Sequence, residues 1–155
     1  MPNVTIRAAG PADAGTLARL RFEFRASIGT AVEDEEAFVA RCTTWMSAHL
    51  TTGEGWLAWI AEEGGRARGC VWLCLIGKLP NPVEEPEWHG YVTSLYVQSP
   101  LRGRGTGTAL LEAAVDECAR RGVDAIILWP TPESRTLYER HGFRVRDDLL
   151  ERRDV

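Results

Sequence analysis

Residues 91–122 constrain the fold more than any other part of the chain, because strand, loop and helix signals follow one another there without a gap. Residues 91–97 are rich in β-branched and aromatic side chains, which favour a half-buried strand, and Pro100 then lacks the N–H that a strand ladder needs. From Gly107 onward apolar residues recur at helical spacing, and Gly122 follows as a helix-ending glycine. This segment therefore predicts a strand, a glycine-rich loop and a helix of about four turns.

The loop in this segment has the sequence RGRGTGT over residues 102–108. Its alternate glycines leave backbone N–H groups unshielded by Cβ atoms, and the helix that follows adds about half a positive charge at its N-terminus. Together with the mobile charges of Arg102 and Arg104, these features are suited to holding a phosphate group. A flexible loop whose glycines serve tight packing is the alternative interpretation.

Two familiar phosphate-binding motifs are excluded by their spacing. The dinucleotide fingerprint G-x-G-x-x-G would need a glycine where the chain has Thr108. The nucleoside-triphosphatase loop G-x-x-x-x-G-K-[ST] has no match either. A nucleotide- or phosphate-binding protein of another fold is therefore disfavoured.

The spacing R-x-x-G-x-G, from Arg102 to Gly107, does fit a known pattern. Placed directly after a strand, it resembles motif A of the GNAT acyl-CoA N-acyltransferases. Further along, residues 134–143 read SRTLYERHGF and resemble the second signature of that family, which ends in L-Y-E-x-x-G-F. The resemblance covers residues 88–145 and extends to the first half of the chain only through the layout of its elements.

The resemblance implies an α+β architecture, the GNAT fold. This fold is expected to have a mixed, mostly antiparallel central sheet of six to seven strands, flanked by about four helices, with a parallel strand–helix–strand unit at the cofactor site. A chain of 155 residues can bury a core without metals or disulfides. A single acetyltransferase domain over residues 1–155 is therefore predicted.

The resemblance also implies that acetyl-CoA is a co-substrate held mainly by backbone groups. The loop amides that would hold its pyrophosphate belong to Arg102, Gly103, Arg104, Gly105, Thr106, Gly107 and Thr108. The main chain of Leu95, Tyr96 and Val97 would pair with the pantetheine arm as another strand would. The Leu95 N–H would polarise the thioester carbonyl, as in an oxyanion hole.

Tyr138 lies where the family often has the tyrosine that protonates the leaving thiolate. A phenol with a pKa near 10 is a reasonable donor to a thiolate, and a packed aromatic core residue is the alternative interpretation. Many family members carry an asparagine seven residues earlier, where this chain has Thr131. A side-chain contact to the cofactor is therefore weakened or replaced.

The sequence leaves the general base open. Strand alternation puts His89, Tyr91 and Thr93 on one face, and His89 has an intrinsic pKa suited to accepting a proton from an amine. A surface histidine at the start of a strand is an equally good interpretation. The alternative bases are glutamates, namely Glu23, Glu84, Glu85 and Glu87.

Further strands are predicted on both sides of this segment. Residues 56–62 and 67–77 are joined by a glycine turn and predict a hairpin, and the apolar run in its second strand is typical of a central strand covered on both faces. Other strands are expected at residues 3–8, as a short buried strand at 124–129, and at 143–153.

Helices are expected at residues 14–27, after the acidic residues 33–36, and from Thr131 as N-cap with Pro132 as the first helical residue. The acidic cluster at residues 33–36 has two interpretations. It stabilises the N-terminus of its own helix, or it forms a rim that attracts a cationic substrate.

Composition excludes several other classes of protein. A net charge of −4 argues mildly against non-specific binding of nucleic acid. The sequence has no apolar run of about 18 residues and no basic-then-apolar N-terminus, so a cytoplasmic protein without a membrane partner is expected. The cysteines lack the spacing of a zinc site or a disulfide framework, and no metal is expected. The oligomeric state is left open, a homodimer included.

The leading hypothesis is an N-acetyltransferase that moves an acetyl group from acetyl-CoA to a primary amine of a small molecule or protein. The amine would attack directly in a ternary complex. The alternative is a non-catalytic acyl-CoA-binding module, acting as a sensor or a structural ligand holder.

Overall fold

The fold consists of one mixed sheet with helices on both of its faces. The computed structural model describes residues 3–154, and Met1, Pro2 and Val155 lie outside the described residues. The strands are β1 (Val4–Ala8), β2 (Trp56–Glu63), β3 (Arg66–Gly77), β4 (Trp88–Val97) and β5 (Ala125–Ile127). The helices are α1 (Ala14–Ser27), α2 (Glu35–Thr52), α3 (Thr106–Arg121) and α4 (Arg135–Arg140), with short 3₁₀ turns at Pro11–Asp13 and Ser99–Leu101.

The strands follow one another across the sheet in chain order. Each of the first four pairs antiparallel with the next, and β5 pairs parallel with β4. The β2–β3 hairpin turns on Gly64 and Gly65, whose φ angles of 58° and 74° suit the tight turn that joins twisted strands. The predicted hairpin and the predicted β4–α3–β5 parallel unit are both confirmed.

Two apolar clusters cover the two faces of the sheet. Helices α1 and α2 pack on one face, where Cys70 and Trp72 of β3 are buried. Helix α3 and Tyr138 of α4 pack on the other face, where Val71 and Leu73 are buried. Strand β3 is therefore buried on both sides, as its continuous apolar sequence predicts.

The predicted six to seven strands are wrong for residues 3–154, which form five. The expected strand at 143–153 does not form: Phe143 packs against the core, but residues 144–154 are mostly charged and are all exposed to solvent. Val145 and Leu150 are 78% and 94% exposed, and Arg146 pairs locally with Asp148 at 2.6 Å. The segment stays at the surface, and its ion pairs join near neighbours in the chain.

The predicted buried strand at 124–129 is shorter and more exposed than expected. Strand β5 has only three residues and forms an edge of the sheet, and the Trp129 side chain beyond it is 54% exposed. An edge strand has a neighbour on one side only, so its apolar residues are covered less than those of a central strand.

The last helix begins at Arg135, so the predicted start at Pro132 is wrong. Residues 131–134 form a turn in which the Thr131 N–H donates to Ser134 Oγ at 3.0 Å and the Ser134 N–H donates to the Thr131 carbonyl at 3.1 Å. Ser134, not Thr131, is the residue that precedes the helix. Helix α3 starts at Thr106, one residue before the predicted Gly107, and it ends before Gly122 as predicted. Its flanking residues are Gly105 at φ 81° and Gly122 at φ 67°.

Candidate active site

A β-bulge in the middle of β4 positions the candidate site. Cys70 pairs with Tyr96 and Trp72 pairs with Thr93, so that two residues of β4, Ser94 and Leu95, lie opposite a single residue of β3. Ser94 has φ 54°, the left-handed conformation that costs a non-glycine residue about 1–2 kcal/mol. Bulges bend a strand and redirect its side chains, and such strain persists where the surroundings hold it in place.

Strands β4 and β5 separate just before this bulge. The parallel pairing runs from His89 opposite Ala125 to Tyr91 opposite Ile127 and stops there. The edge of residues 92–97 that would face β5 therefore has no partner strand among residues 3–154. Unpaired N–H and C=O groups along such an edge can bind an extended ligand as an additional strand.

A cavity of about 460 Å³ lies along this open edge. Its walls bring together most of the residues that the sequence assigns to the cofactor, namely Leu95, Tyr96, Val97, Arg102, Gly103 and Gly107. The opposite wall is formed by residues of the 131–134 turn and by Leu137 of α4. An elongated ligand in this cavity would reach the glycine loop at one end and the bulge at the other.

Only some residues of the glycine loop, 102–108, line this cavity. Arg102 donates from Nε to the Val97 carbonyl at 2.8 Å, and its guanidinium carbon lies 5.8 Å from the centre of the Tyr96 ring. Arg104 turns away and pairs with Glu63 at 3.3 Å. Thr106 is buried in the protein, and Arg104, Gly105, Thr106 and Thr108 are not among the residues that line the cavity.

Gly107, the second residue of α3, leaves space at the cavity wall. A Cβ atom there would lie 3.5 Å from Leu137 Cδ2 and 3.9 Å from Val97 Cγ2, which are ordinary contact distances. Packing within the protein therefore does not demand glycine at this position. The missing side chain keeps the backbone at the start of the helix accessible, as binding of a phosphate requires.

A second cavity, of about 170 Å³, continues around the bulge and contains Tyr138. It shares Phe24, Leu95, Thr131 and Ser134 with the first cavity. Tyr138 is 7% exposed, and burial raises the pKa of its phenol to about 12, with a smaller opposing contribution from Ser134. The phenol therefore stays protonated at neutral pH.

A third cavity, of about 350 Å³, lies between α1, α2 and the sheet and meets the second at Arg21, Thr93 and Ser94. Its walls are largely aromatic, with Trp45, Trp56, Trp72 and Phe38. The bulge thus lies between a groove for an extended ligand and an aromatic chamber. Sequence reasoning did not locate this chamber. The chain has six tryptophans, more than usual, and that count was the signal that some of them line a pocket.

None of the candidate bases is among the residues that line these three cavities. His89 is at the start of β4, opposite Ile76 and Ala125, and it is not among the residues that line the three cavities. Its Nδ1 is buried without a hydrogen-bond partner among residues 3–154. Glu23 accepts hydrogen bonds from Tyr96 Oη at 3.4 Å and from Gln98 Nε2 at 2.9 Å, and Tyr96 lines the first cavity. Glu84, Glu85 and Glu87 belong to the loop before β4.

The acidic residues 33–36 act at the terminus of their helix. Asp34 is the N-cap of α2, and its carboxylate accepts the Ala37 N–H at 3.0 Å. Glu33 pairs with Arg41. None of the residues 33–36 lines the three cavities described above.

Within the part of the chain that the structure describes, no helix is both long and apolar enough to cross a membrane. The same residues contain no group of three or more side chains arranged to hold a metal ion.

Comparison with known proteins gives a consistent result. A family model described as the acetyltransferase (GNAT) family matches residues 20–143. A predicted acetyltransferase from Clostridium acetobutylicum, solved with acetyl-CoA, is 25% identical, with a TM-score of 0.80 over 97% of this chain and 96% of that one. A GCN5-related N-acetyltransferase from Ralstonia eutropha JMP134 is 26% identical, with a TM-score of 0.78 over 97% and 98%. Glucosamine-6-phosphate N-acetyltransferase from Arabidopsis thaliana is 18% identical, with a TM-score of 0.69 over 99% of each chain, a likeness of fold alone.

Proposed function

This chain belongs to the GNAT acetyltransferase family, and from that membership we propose that it transfers an acetyl group from acetyl-CoA to a primary amine. The amine would attack the thioester directly in a ternary complex. The observation that carries this proposal is the unpaired edge of β4, which runs from the strained bulge to the glycine loop beside one continuous groove. The proposed acetyltransferase domain spans residues 1–155.

The cofactor would be held at two points of the groove. The backbone of Leu95, Tyr96 and Val97 would pair with the amide groups of the pantetheine arm. The N–H groups at the start of α3 would bind the pyrophosphate, supported by the partial positive charge of that helix and by Arg102. Thr131, at the position where the family often has asparagine, lines the groove, but its hydroxyl already bonds Ser134 Oγ at 2.9 Å.

Catalysis would require that the developing charges be stabilised at the bulge. As the amine nitrogen bonds to the carbonyl carbon, the Leu95 N–H would donate to the oxygen that becomes negative. When the C–S bond breaks, the thiolate would take the phenolic proton of Tyr138, which would later be restored from solvent. The proton lost by the amine would pass to water or to a base, with His89 and Glu23 as the candidates.

The presence of Tyr138 beside the bulge favours an enzyme over a binding module. Acetyl-CoA supplied with a panel of primary amines is expected to release free thiol in proportion to acetylated amine, measured by a thiol-reactive dye and mass spectrometry. Saturable binding of acetyl-CoA without amine-dependent thiol release across the panel would instead support the non-catalytic module.

The acidic cluster gives a smaller prediction. Replacing Asp34 by alanine is expected to lower the free energy of unfolding by about 1 kcal/mol, because the N-cap bond to Ala37 is lost. Reversing the charges of Glu35 and Glu36 is expected to change kcat/KM for a cationic amine less than about twofold, since these residues lie outside the cavities. Urea unfolding and kinetics at two salt concentrations measure both effects. A fall in kcat/KM that is larger at low salt would instead support the interpretation of residues 33–36 as a rim that attracts a cationic substrate.

A further inference from the structure

The charges on the acceptor side of the bulge are all positive. The second and third cavities are lined by Arg21, Arg25 and Arg41 and, within residues 3–154, by no aspartate or glutamate. Arg41 is paired with Glu33 outside the chamber. A substrate with several positive charges would therefore meet repulsion here, whereas an anionic group would be attracted.

Arg21 is the cation best placed to receive that anionic group. It lines both cavities, and no carboxylate of the described residues lies within ion-pair distance of it. Burial, and next the charge of Arg25, lower the pKa of its guanidinium. The Arg21 guanidinium carbon lies 5.9 Å from the centre of the Phe24 ring. A half-buried guanidinium that has no carboxylate partner among residues 3–154 is still costly, and a planar carboxylate matches its paired N–H groups.

Two further donors belong to this region, Ser94 at the same junction and Trp72 in the third cavity. Trp72 Nε1 and Ser94 Oγ are buried without a hydrogen-bond partner among residues 3–154, and both residues line the third cavity. An indole N–H can only donate, and a hydroxyl can donate. An acceptor-only group such as a carboxylate matches both donors, whereas an ammonium group does not match Trp72. Both atoms are covered by protein, so a ligand would reach them only after a side chain moves.

The third cavity is lined by apolar and aromatic residues, apart from Arg21, Arg41, Thr93 and Ser94. Trp45 and Trp56 lie with ring centres 5.3 Å apart, and Trp56 and Trp72 with ring centres 6.1 Å apart, in edge-to-face contact. A volume of about 350 Å³ is at the lower end of the 300–1,000 Å³ of typical ligand pockets. The chamber thus fits one large apolar or aromatic side chain of a small molecule.

We propose that the acceptor is an α-amino acid with a large apolar or aromatic side chain, bound through its carboxylate to Arg21. This inference rests on the proposed acetyl transfer and names the substrate class for it. An α-amino acid carries its amine, carboxylate and side chain on one carbon, and Arg21 lies at the junction of the two cavities. The side chain enters the aromatic chamber, and the amine faces the cavity that holds Tyr138 and Leu95.

The test compares amines that differ in one group. Phenylalanine, phenethylamine, phenylalanine amide, glycine and the phosphonate analogue of phenylalanine are supplied with acetyl-CoA. For the wild-type protein, kcat/KM for phenylalanine is expected to be about 10- to 100-fold above that for phenethylamine and the amide. Both analogues lack the carboxylate, and this ratio is what the loss of hydrogen bonds to a charged group corresponds to. Glycine should be poorer than phenylalanine because it leaves the chamber empty. The phosphonate distinguishes a carboxylate site from a general anion site.

Variants on one helix separate binding from general charge effects. Arg21→Gln is expected to lower kcat/KM for phenylalanine about 10- to 100-fold and to leave phenethylamine nearly unchanged, while Arg21→Lys retains part of the preference. Arg19→Gln removes the same charge from an exposed residue that does not line the cavities and should change neither substrate. Melting temperatures identify a variant that has lost its fold, and Arg21→Lys then carries the comparison.

Calorimetric titration of the CoA-bound protein makes the inference independent of turnover. Phenylalanine is expected to bind and phenethylamine to bind at least about 10-fold more weakly, with the difference lost in Arg21→Gln. Arg21-dependent binding of phenylalanine without acetylation would refute the proposed function and leave this site standing. Equal kcat/KM or equal binding for phenylalanine and phenethylamine would overturn the inference, as would a preference for the phosphonate over the carboxylate.

Discussion

Replacing Tyr138 by phenylalanine is expected to lower kcat by about 10²- to 10⁴-fold, the usual contribution of one positioned proton donor. The affinity for acetyl-CoA should remain nearly unchanged, because the proposed cofactor contacts lie along β4 and the glycine loop. Phenylalanine keeps the ring and its edge-to-face contact with Phe143 at 5.7 Å. The free energy of unfolding should therefore change by about 1 kcal/mol or less. Steady-state kinetics, calorimetry with CoA and urea unfolding measure the three quantities.

The pKa of Tyr138 adds a second readout. Burial raises this pKa to about 12, so the phenol is protonated throughout the range from about pH 6 to about pH 9. Its proton would be lost only as the pH rises toward that value. The ratio of wild-type to Tyr138→Phe rates should therefore be constant across this range.

Wild-type kcat in a folded Tyr138→Phe protein, under conditions where the chemical step limits turnover, would eliminate the role as proton donor. Phe143→Leu is a suitable comparison, because it disturbs the same aromatic contact without removing a hydroxyl. If that variant loses as much activity as Tyr138→Phe, packing and not proton donation explains the effect.

Replacing Gly107 by valine is expected to weaken the binding of CoA by roughly 100-fold or more. The added branches would stand at the wall of the first cavity, where the N–H groups at the start of α3 are proposed to meet the pyrophosphate. Losing two hydrogen bonds to a charged group costs about 3 kcal/mol, which corresponds to that change in Kd. Calorimetric titration with CoA measures it directly.

Gly15→Val is the matched control for this variant. Gly15 is also the second residue of its helix, and a Cβ there would come no closer than 3.9 Å to a neighbouring atom. Valine is a better helix former than glycine, so neither substitution should break its helix. Gly105 is a poorer probe, because its φ of 81° makes any side chain strained whatever the ligand does. If Gly107→Val and Gly15→Val bind CoA equally well, the pyrophosphate does not bind at this loop.

Local sequence signals predicted the elements around the cofactor groove well. Helix α1 and the hairpin lie within one residue of their predicted bounds. Helix α3 is bounded by Gly105 and Gly122, both in the left-handed conformation that glycine permits. These features depend on residues close together in the chain, where backbone preference and side-chain period act directly.

The sequence was less informative where the structure of a segment depends on contacts with other parts of the protein. The segment after Phe143 could have formed a strand only if a neighbouring edge had accepted its charged residues. The turn at residues 131–134 competes with the helix start through the hydroxyl of Ser134, which bonds the Thr131 N–H. Whether such a segment forms a strand, a turn or a helix depends on which of the competing hydrogen bonds can form in the folded protein.

The sequence by itself determined the family, the glycine loop and the strand–loop–helix order around that loop, because each is encoded in residue type at short spacing. Only the tertiary structure decided the bulge at Ser94, the separation of β4 from β5, and the meeting of Arg21 with the tryptophans of α2, β2 and β3. These residues are far apart in the chain and come together only when the helices pack on the sheet. Strand register and burial are properties of the assembled core, and no local pattern specifies them.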